Sequence, residues 1–420
     1  MTNLLSIIFS LVILLIIIFI KDIEGRKSRN KYRSSLYYKL TNFIRVLIIV
    51  SILIFIIVTI VDYNINSYNR SWFSFITVIL NGLSIAILAL PISLANIYKT
   101  TFIDEEELLD IKYIVTNIYD KKMLYKFNKA GISLIILTKE KLNTKIKTIS
   151  EKSYKKNLIS GNLIIETDNH KLIKKLPNAI YEFDNLNSCY KRIENARSKA
   201  DRIARIIKYC LLTYIPLILL YFLIVITGFP AFYSILISLL IKLLTISTVE
   251  YVYKKMPKDN DLMNRKPIIE GKIIGFQEIM FIIFACLCML FCYSLPYQYI
   301  IYSGSSMRLA ISLLLTTFLF NNIFITYSLY SENSIMQNII KSIKNIRVLV
   351  YVIVLIVISI LLNFFTFLGT KNIGLQNFVV CIVLGIIPIL VLEIVKFARI
   401  TTTKGTKKNV HKNNKRLKKS

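Results

Sequence analysis

AIYEFDNLNSCYKRIENARSKADRIARIIKYCLL, residues 179–212, decides how the chain is built. It opens on a short β-type run, AIYEF, followed by an acidic turn. From there, charged residues run from Lys191 to Lys208 with no glycine or proline among them, and the chain passes directly into the apolar run that begins at Tyr209. Nothing interrupts the helical pattern before Pro216. One helix should therefore begin in water and end in lipid, fixing a small polar domain rigidly to a membrane span.

The remainder of the chain fits that picture. Of 420 residues, 55% are hydrophobic, and the mean hydropathy of +0.58 is too high for a soluble single-core protein. Apolar runs of about 18 or more residues read as membrane helices. Nine occur, near 3–20, 43–61, 73–97, 209–228, 231–250, 276–296, 308–330, 347–368 and 376–397. The net charge of +30 follows the positive-inside pattern, because the basic residues sit beside spans. They are not gathered on an aromatic-bearing soluble domain, so nucleic acid is excluded as a partner. The Lys, Ile and Asn bias also fits an AT-rich genome. Segments 21–40, 98–208, 251–275, 331–347 and the tail from Arg399 are basic, whereas 62–72, 228–230, 297–307 and 369–375 carry few charges. This alternation puts the amino terminus outside a plasma membrane and the carboxy terminus in the cytoplasm. The first span has no basic leader and no small-residue cleavage site, and reads as an uncleaved anchor.

Six cysteines are scattered over the spans and the polar segment and form no disulfide framework. Cys288 and Cys292 share a helical face, where they serve as small hydrophobes or as half of a soft-metal site. No His or acid accompanies them, so no metal or cofactor is expected.

The expected fold is a polytopic α-helical membrane protein of about nine transmembrane helices with a small α/β cytosolic insert. Its parts are an anchor and basic loop (1–35), a transmembrane hairpin (36–98), the insert and stalk (99–206), a six-span bundle (207–398) and a basic tail (399–420). Strands are expected at 132–137, 162–166 and 179–183, and helices at 108–118 and 188–209. The tail, KGTKKNVHKNNKRLKKS, has nothing to pack, so it is expected to lack fixed structure and to touch anionic lipid.

The stalk resembles that of P-type cation-transporting ATPases, in which a Gly/Ala-Arg step, here Ala196-Arg197, precedes the first span of the carboxy-terminal half. The resemblance extends over most of 36–398. AILALPISLANIY looks like the family's Pro-Glu-Gly-Leu-Pro helix, with Pro91 at the first proline. PKDNDLMNRKP resembles the family's P-x-D-x-D-I-M-x-R-x-P loop, with Pro257, Asp259, Asp261, Met263, Arg265 and Pro267 in register. This is the most specific motif in the chain. It implies the pump's transmembrane domain together with a remnant of its phosphorylation domain.

What the family uses for chemistry is missing. The D-K-T-G-T nucleophile motif has no counterpart. After ISLIIL the chain reads Thr138-Lys139-Glu140-Lys141-Leu142-Asn143-Thr144, and Glu140 lacks the surroundings of a phosphate acceptor. G-D-G-x-N-D is absent, about 40 residues leave no room for a nucleotide-binding domain, and no actuator counterpart precedes residue 36. In the resemblance's ion site, Ile92 stands for the family's glutamate, Lys242, Thr245 and Ile246 stand for Asn, Thr and Asp of N-L-V-T-D, and Tyr214 and Leu217 occupy the polar positions of the preceding helix. A hard cation needs several oxygen ligands, usually with carboxylate charge. Lys242 is then either a tethered cation in the vacated site or a snorkelling or neutral lysine lining a wet cavity. Among the acids of the spans, Glu250, Glu278 and Glu393 lie toward the cytosolic face, so no deep partner for Lys242 is visible. The resemblance implies a non-catalytic scaffold or regulator that engages another membrane protein. The alternatives are a passive or partner-driven transporter and the membrane subunit of a split pump.

Overall fold

The structure, a computed structural model, describes residues 35–66, 72–90, 108–109, 111, 113–116, 120–137, 148–149, 163–166, 179–182, 185–227, 235–259, 262–264, 274–331, 335–343, 345–364 and 370–416. Helices α1 (Ser35–Asn66) and α2 (Trp72–Ala89) form a hairpin. Next come β1 (Tyr113–Thr116), α3 (Lys121–Lys129), β2 (Ser133–Leu137), β3 (Thr148–Ile149), β4 (Leu163–Glu166) and β5 (Ala179–Glu182). The long α4 (Leu186–Ile226) leads into α5 (Ile235–Tyr251), α6 (Phe276–Tyr302), α7 (Met307–Leu329), α8 (Ile335–Ile343), α9 (Ile346–Phe364) and α10 (Gly374–Arg416).

Seven described helices are long and apolar enough to cross a membrane: Asn42–Asn64, Leu186–Ile224, Leu236–Lys255, Glu278–Ile300, Met307–Leu329, Ile346–Asn363 and Gly374–Ile394. Such helices satisfy their backbone internally, as lipid requires. Their hydroxyls are hidden the same way: Thr59, Thr213, Thr245 and Thr248 each donate to the carbonyl four residues back. The expected span at 3–20 lies outside the described residues. The one expected at 73–97 ends as a helix at Ala89, with Ile76–Ala89 as its apolar part. A helix is disfavoured at the residue before a proline, and Pro91 is next but one. Helix α7 is the centre of the bundle. It packs against α4, α6, α8, α9 and α10 and buries Thr316, Thr317, Asn321, Asn322 and Thr326 along with its apolar residues.

The five strands form one parallel sheet in the order β3-β2-β1-β4-β5. Three of them match the expected strands. β1 does not, since its segment was expected to be helical. Tyr113-Ile114-Val115-Thr116 is an aromatic and β-branched run, and ladders on both sides outweigh the helical pattern. The two-residue β3 was also unexpected. Winding reverses at β1, so the crevice such sheets offer lies beyond β1 and β4. It does not lie beyond β2, the strand that resemblance likened to the nucleophile strand. Glu140 itself is outside the described residues. Asp120, the first described acid after β1, is the N-cap of α3, accepting from the amides of Lys122 at 2.8 Å and Met123 at 3.3 Å.

Two other expectations are corrected. The tail is helical as far as Arg416. Extending an existing helix costs no new nucleation, and Lys and Arg are good helix formers. Asp62, assigned from sequence to a loop, lies within α1 and is 1% exposed, with the Asn81 amide donating to it at 3.1 Å.

Candidate functional site

Helix α4 runs past every part of the site. Asn185 caps it, its Oδ1 accepting the Ser188 amide at 2.7 Å. Its 41 residues extend about 60 Å at 1.5 Å each. Cys189, Ile193, Ala196 and Ala200 make the buried stripe that holds the α/β domain. Arg197, 3% exposed, donates to the Ala130 carbonyl at 3.1 Å, where α3 has just ended. A cation is favoured at that end of a helix. Phe127 meets the Tyr190 ring edge-on at 5.5 Å.

Two turns further along α4 is a joint. Arg205, 3% exposed, pairs with Asp201 at 2.6 Å and with Asp259, and donates to the Tyr330 carbonyl that follows α7. Arg202 donates to the Lys254 carbonyl at 3.1 Å, and Lys258 reaches Glu194 at 3.3 Å. The segment expected to form the family loop is thus clamped to the stalk. Of its residues, Asp259 is the buried anion of the clamp, Met263 is 7% exposed and Pro257 is exposed. Asp261, Arg265 and Pro267 lie outside the described residues. Arg205 was not singled out in the sequence because its partners are about fifty and a hundred and twenty-five residues away.

About 14 Å beyond Arg205 along the helix, Tyr214 faces Lys242. The lysine is 3% exposed on α5. Its Nζ donates to the Leu88 carbonyl at 2.9 Å and to the Leu90 carbonyl, and stands 3.8 Å from the centre of the Tyr214 ring. The last carbonyls of a helix have no partner of their own, so this ammonium caps the end of α2. Lys242 therefore has a deep partner after all. It is backbone, which no list of acidic residues could reveal. Carbonyls and an aromatic face reduce the cost of burying a lysine head group in a low-dielectric setting.

The other expected site residues are divided. Thr245 points its hydroxyl at its own helix, donating to Ile241 at 2.8 Å. Ile246 is half-buried, Leu217 fully buried, and Pro91 and Ile92 lie outside the described residues. The three span acids each find a lysine: Glu250 with Lys254 at 2.5 Å, Glu278 with Lys208 at 3.1 Å and Glu393 with Lys396 at 2.8 Å. One turn toward the joint, Tyr209 donates to Thr248 at 2.8 Å or Asn322 at 2.6 Å, and Thr248 also contacts the Tyr351 hydroxyl. These residues tie α4, α5, α7 and α9 together. Among the described residues no group of three or more His, Cys, Asp or Glu could hold a metal ion, and no cysteine is in a disulfide.

The fold and site define a multi-pass helical membrane protein whose stalk carries a small parallel α/β domain. Residues 229–398 match the family described as "Cation transporting ATPase, C-terminus", so this segment is similar to the carboxy-terminal membrane domain of P-type cation ATPases. No curated protein matches the chain.

Proposed function

We propose that the chain is a non-catalytic relative of the P-type pumps, a membrane scaffold or regulator whose ion site is closed by its own lysine. The observation that carries this reading is the Lys242 ammonium on the Leu88 and Leu90 carbonyls, over Tyr214. Oxygens that would strip water from a cation are spent on a tethered one, and the charge is supplied without an ion. The missing D-K-T-G-T and G-D-G-x-N-D sequences point the same way, since phosphoryl transfer needs a carboxylate nucleophile and Mg²⁺ ligands. The same contacts weigh against an anion-binding lysine, because two of its three donors are committed to carbonyls and the Tyr214 ring lies against it. In this reading the α/β domain and the spans engage another membrane protein, and the basic tail faces anionic lipid on the cytoplasmic side of the plasma membrane.

The test uses purified full-length protein in proteoliposomes. With Mg-ATP it should form no acyl phosphate and drive no cation uptake. Na⁺, K⁺, Mg²⁺ and Ca²⁺ should leave its melting temperature unchanged, whereas Lys242→Asn, which opens the carbonyls, should gain a cation-dependent increase. Acyl phosphate on the wild-type chain, or cation stabilisation that Lys242→Asn abolishes, would overturn the proposal.

A further inference from the structure

We infer that α8 lies in the plane of the membrane, with one face sunk into the leaflet on the side of the α/β domain. The helix is turned inside out for a soluble protein. Met336, Ile340 and Ile343 are 70%, 61% and 58% exposed, and their spacing of four and three puts them on one face. The buried face is polar: Asn338 and Ser342 are 0% and 1% exposed. Asn338 donates to the carbonyls of Tyr327, Ser328 and Ser331, which closes off the end of α7. On the third flank Gln337 and Lys341 are exposed. A buried polar edge, an outward apolar face and a flanking polar face fit an interfacial helix.

Three observations name the bilayer as the occupant of the apolar face. First, α8 is bounded on both sides by membrane-crossing helices, α7 ending at Leu329 and α9 starting at Ile346, so the chain has no length in which to leave the surface. Second, the apolar face continues into Ile346, Val350 and Ile353 of α9, all at least half exposed, which is the surface a span presents to lipid. Third, Lys341 and Arg347 are exposed beside it, where anionic headgroups attract basic side chains. The side is fixed by Arg205, whose bond to the Tyr330 carbonyl joins the start of this segment to the stalk.

The position of α8 is also locked to α10. The Glu393 carboxylate accepts the Ile335 amide at 2.9 Å and the Ser328 hydroxyl at 2.9 Å, and Lys396 pairs with it. It therefore caps α8 from outside the helix. Leaflet packing against α8 thereby bears on the end of α7 and on α10 where its membrane-crossing stretch ends.

The test reads depth in the intact chain. Trp72, the only tryptophan, is replaced by Phe, and single tryptophans are introduced as Ile340→Trp, Met336→Trp and Lys341→Trp. The protein is placed in phosphatidylcholine–phosphatidylserine vesicles whose acyl chains are brominated near the headgroup, because an interfacial helix sits about 5–10 Å deep. Tryptophan at 340 and at 336 should lose most of its emission, and tryptophan at 341 little. Equal, weak quenching at all three positions would overturn the inference. So would a blue-shifted, unquenched signal at 340, which would mean that protein, for example a second copy of the chain, covers the face. Met336→Trp reads the same face independently if Ile340→Trp fails to fold.

Discussion

Replacing Arg205 with methionine tests the joint between the stalk and the bundle. Methionine keeps most of the unbranched stem, so lost packing is small and the loss of charge dominates. Arg205 is 3% exposed, while the side chains of Asp259 and Asp201 are 7% and 19% exposed. Removing one member of a buried ion pair costs about 3–5 kcal/mol. The more exposed Asp201 arm adds less than about 1 kcal/mol, and the orphaned Tyr330 carbonyl about 1 kcal/mol more. The expected loss for Arg205→Met is therefore about 4 kcal/mol, set mainly by Asp259. Asp259→Asn should cost less, and the double variant should recover about 2 kcal/mol or more relative to the sum of the singles. Arg205→Lys should fall between, since one ammonium cannot fork across two carboxylates and a carbonyl. The assay is unfolding of detergent-solubilised protein followed by a thiol-reactive dye. Cys189 and Cys210, 1% and 3% exposed on either side of Arg205 along α4, report the opening. A loss below about 1 kcal/mol, or singles that simply add, would refute the idea that the clamp holds this joint.

Two further substitutions test packing and the α/β domain. A Cβ at Gly385 of α10 would lie 2.9 Å from the Phe320 Cβ and 3.1 Å from the Asn321 backbone nitrogen of α7. Gly385→Val should therefore cost about 1–3 kcal/mol through overpacking, seen as a lower melting temperature of the purified protein; an unchanged value would mean that the two helices are free to separate. Asp120→Ala removes the cap of α3 and should cost about 1 kcal/mol, measured as faster proteolysis of the α/β domain with the bundle intact. Unchanged cleavage would leave Asp120 without a structural role.

What the sequence displayed follows from physics that acts locally. Apolar length fixes a span, and the unbroken charge-to-apolar passage at 179–212 foretold α4 because nothing in it stops a helix. Three strands were visible for the same reason. β1 was not, because Tyr113–Thr116 is a strand only by virtue of β2 and β4 beside it. Helix α8 had a legible signal, with Met336, Ile340 and Ile343 at helical spacing, but it was obscured by the basic residues of a segment assigned to a loop. The candidate site was half legible. Lys242 stood out as a charge inside a span, yet its partners are main-chain oxygens about 150 residues away. Arg205 looked like any other stalk cation. The resemblance located the loop containing Asp259 but not the arginine that holds it.

The three attachments on α4 have a mechanical consequence. Arg197 grips the α/β domain, Arg205 grips the loop after α5, and Tyr214 faces the ammonium that caps α2. About 12 Å separates the first two and about 14 Å the last two. All three precede Pro216, so they share a stretch of helix with no internal breaker. A shift of the domain along this strut must therefore either carry the joint with it or break the Arg205–Asp259 pair. Stiffness alone does not make a signal, because transmission needs an element with two arrangements. The end of α2 is suited to be that element. Its last carbonyls are bonded by a lysine on another helix rather than by its own backbone, so moving α5 relative to α2 exchanges those bonds without unwinding either helix. The contact proposed to close the ion site would then also be where the domain's position is felt in the membrane.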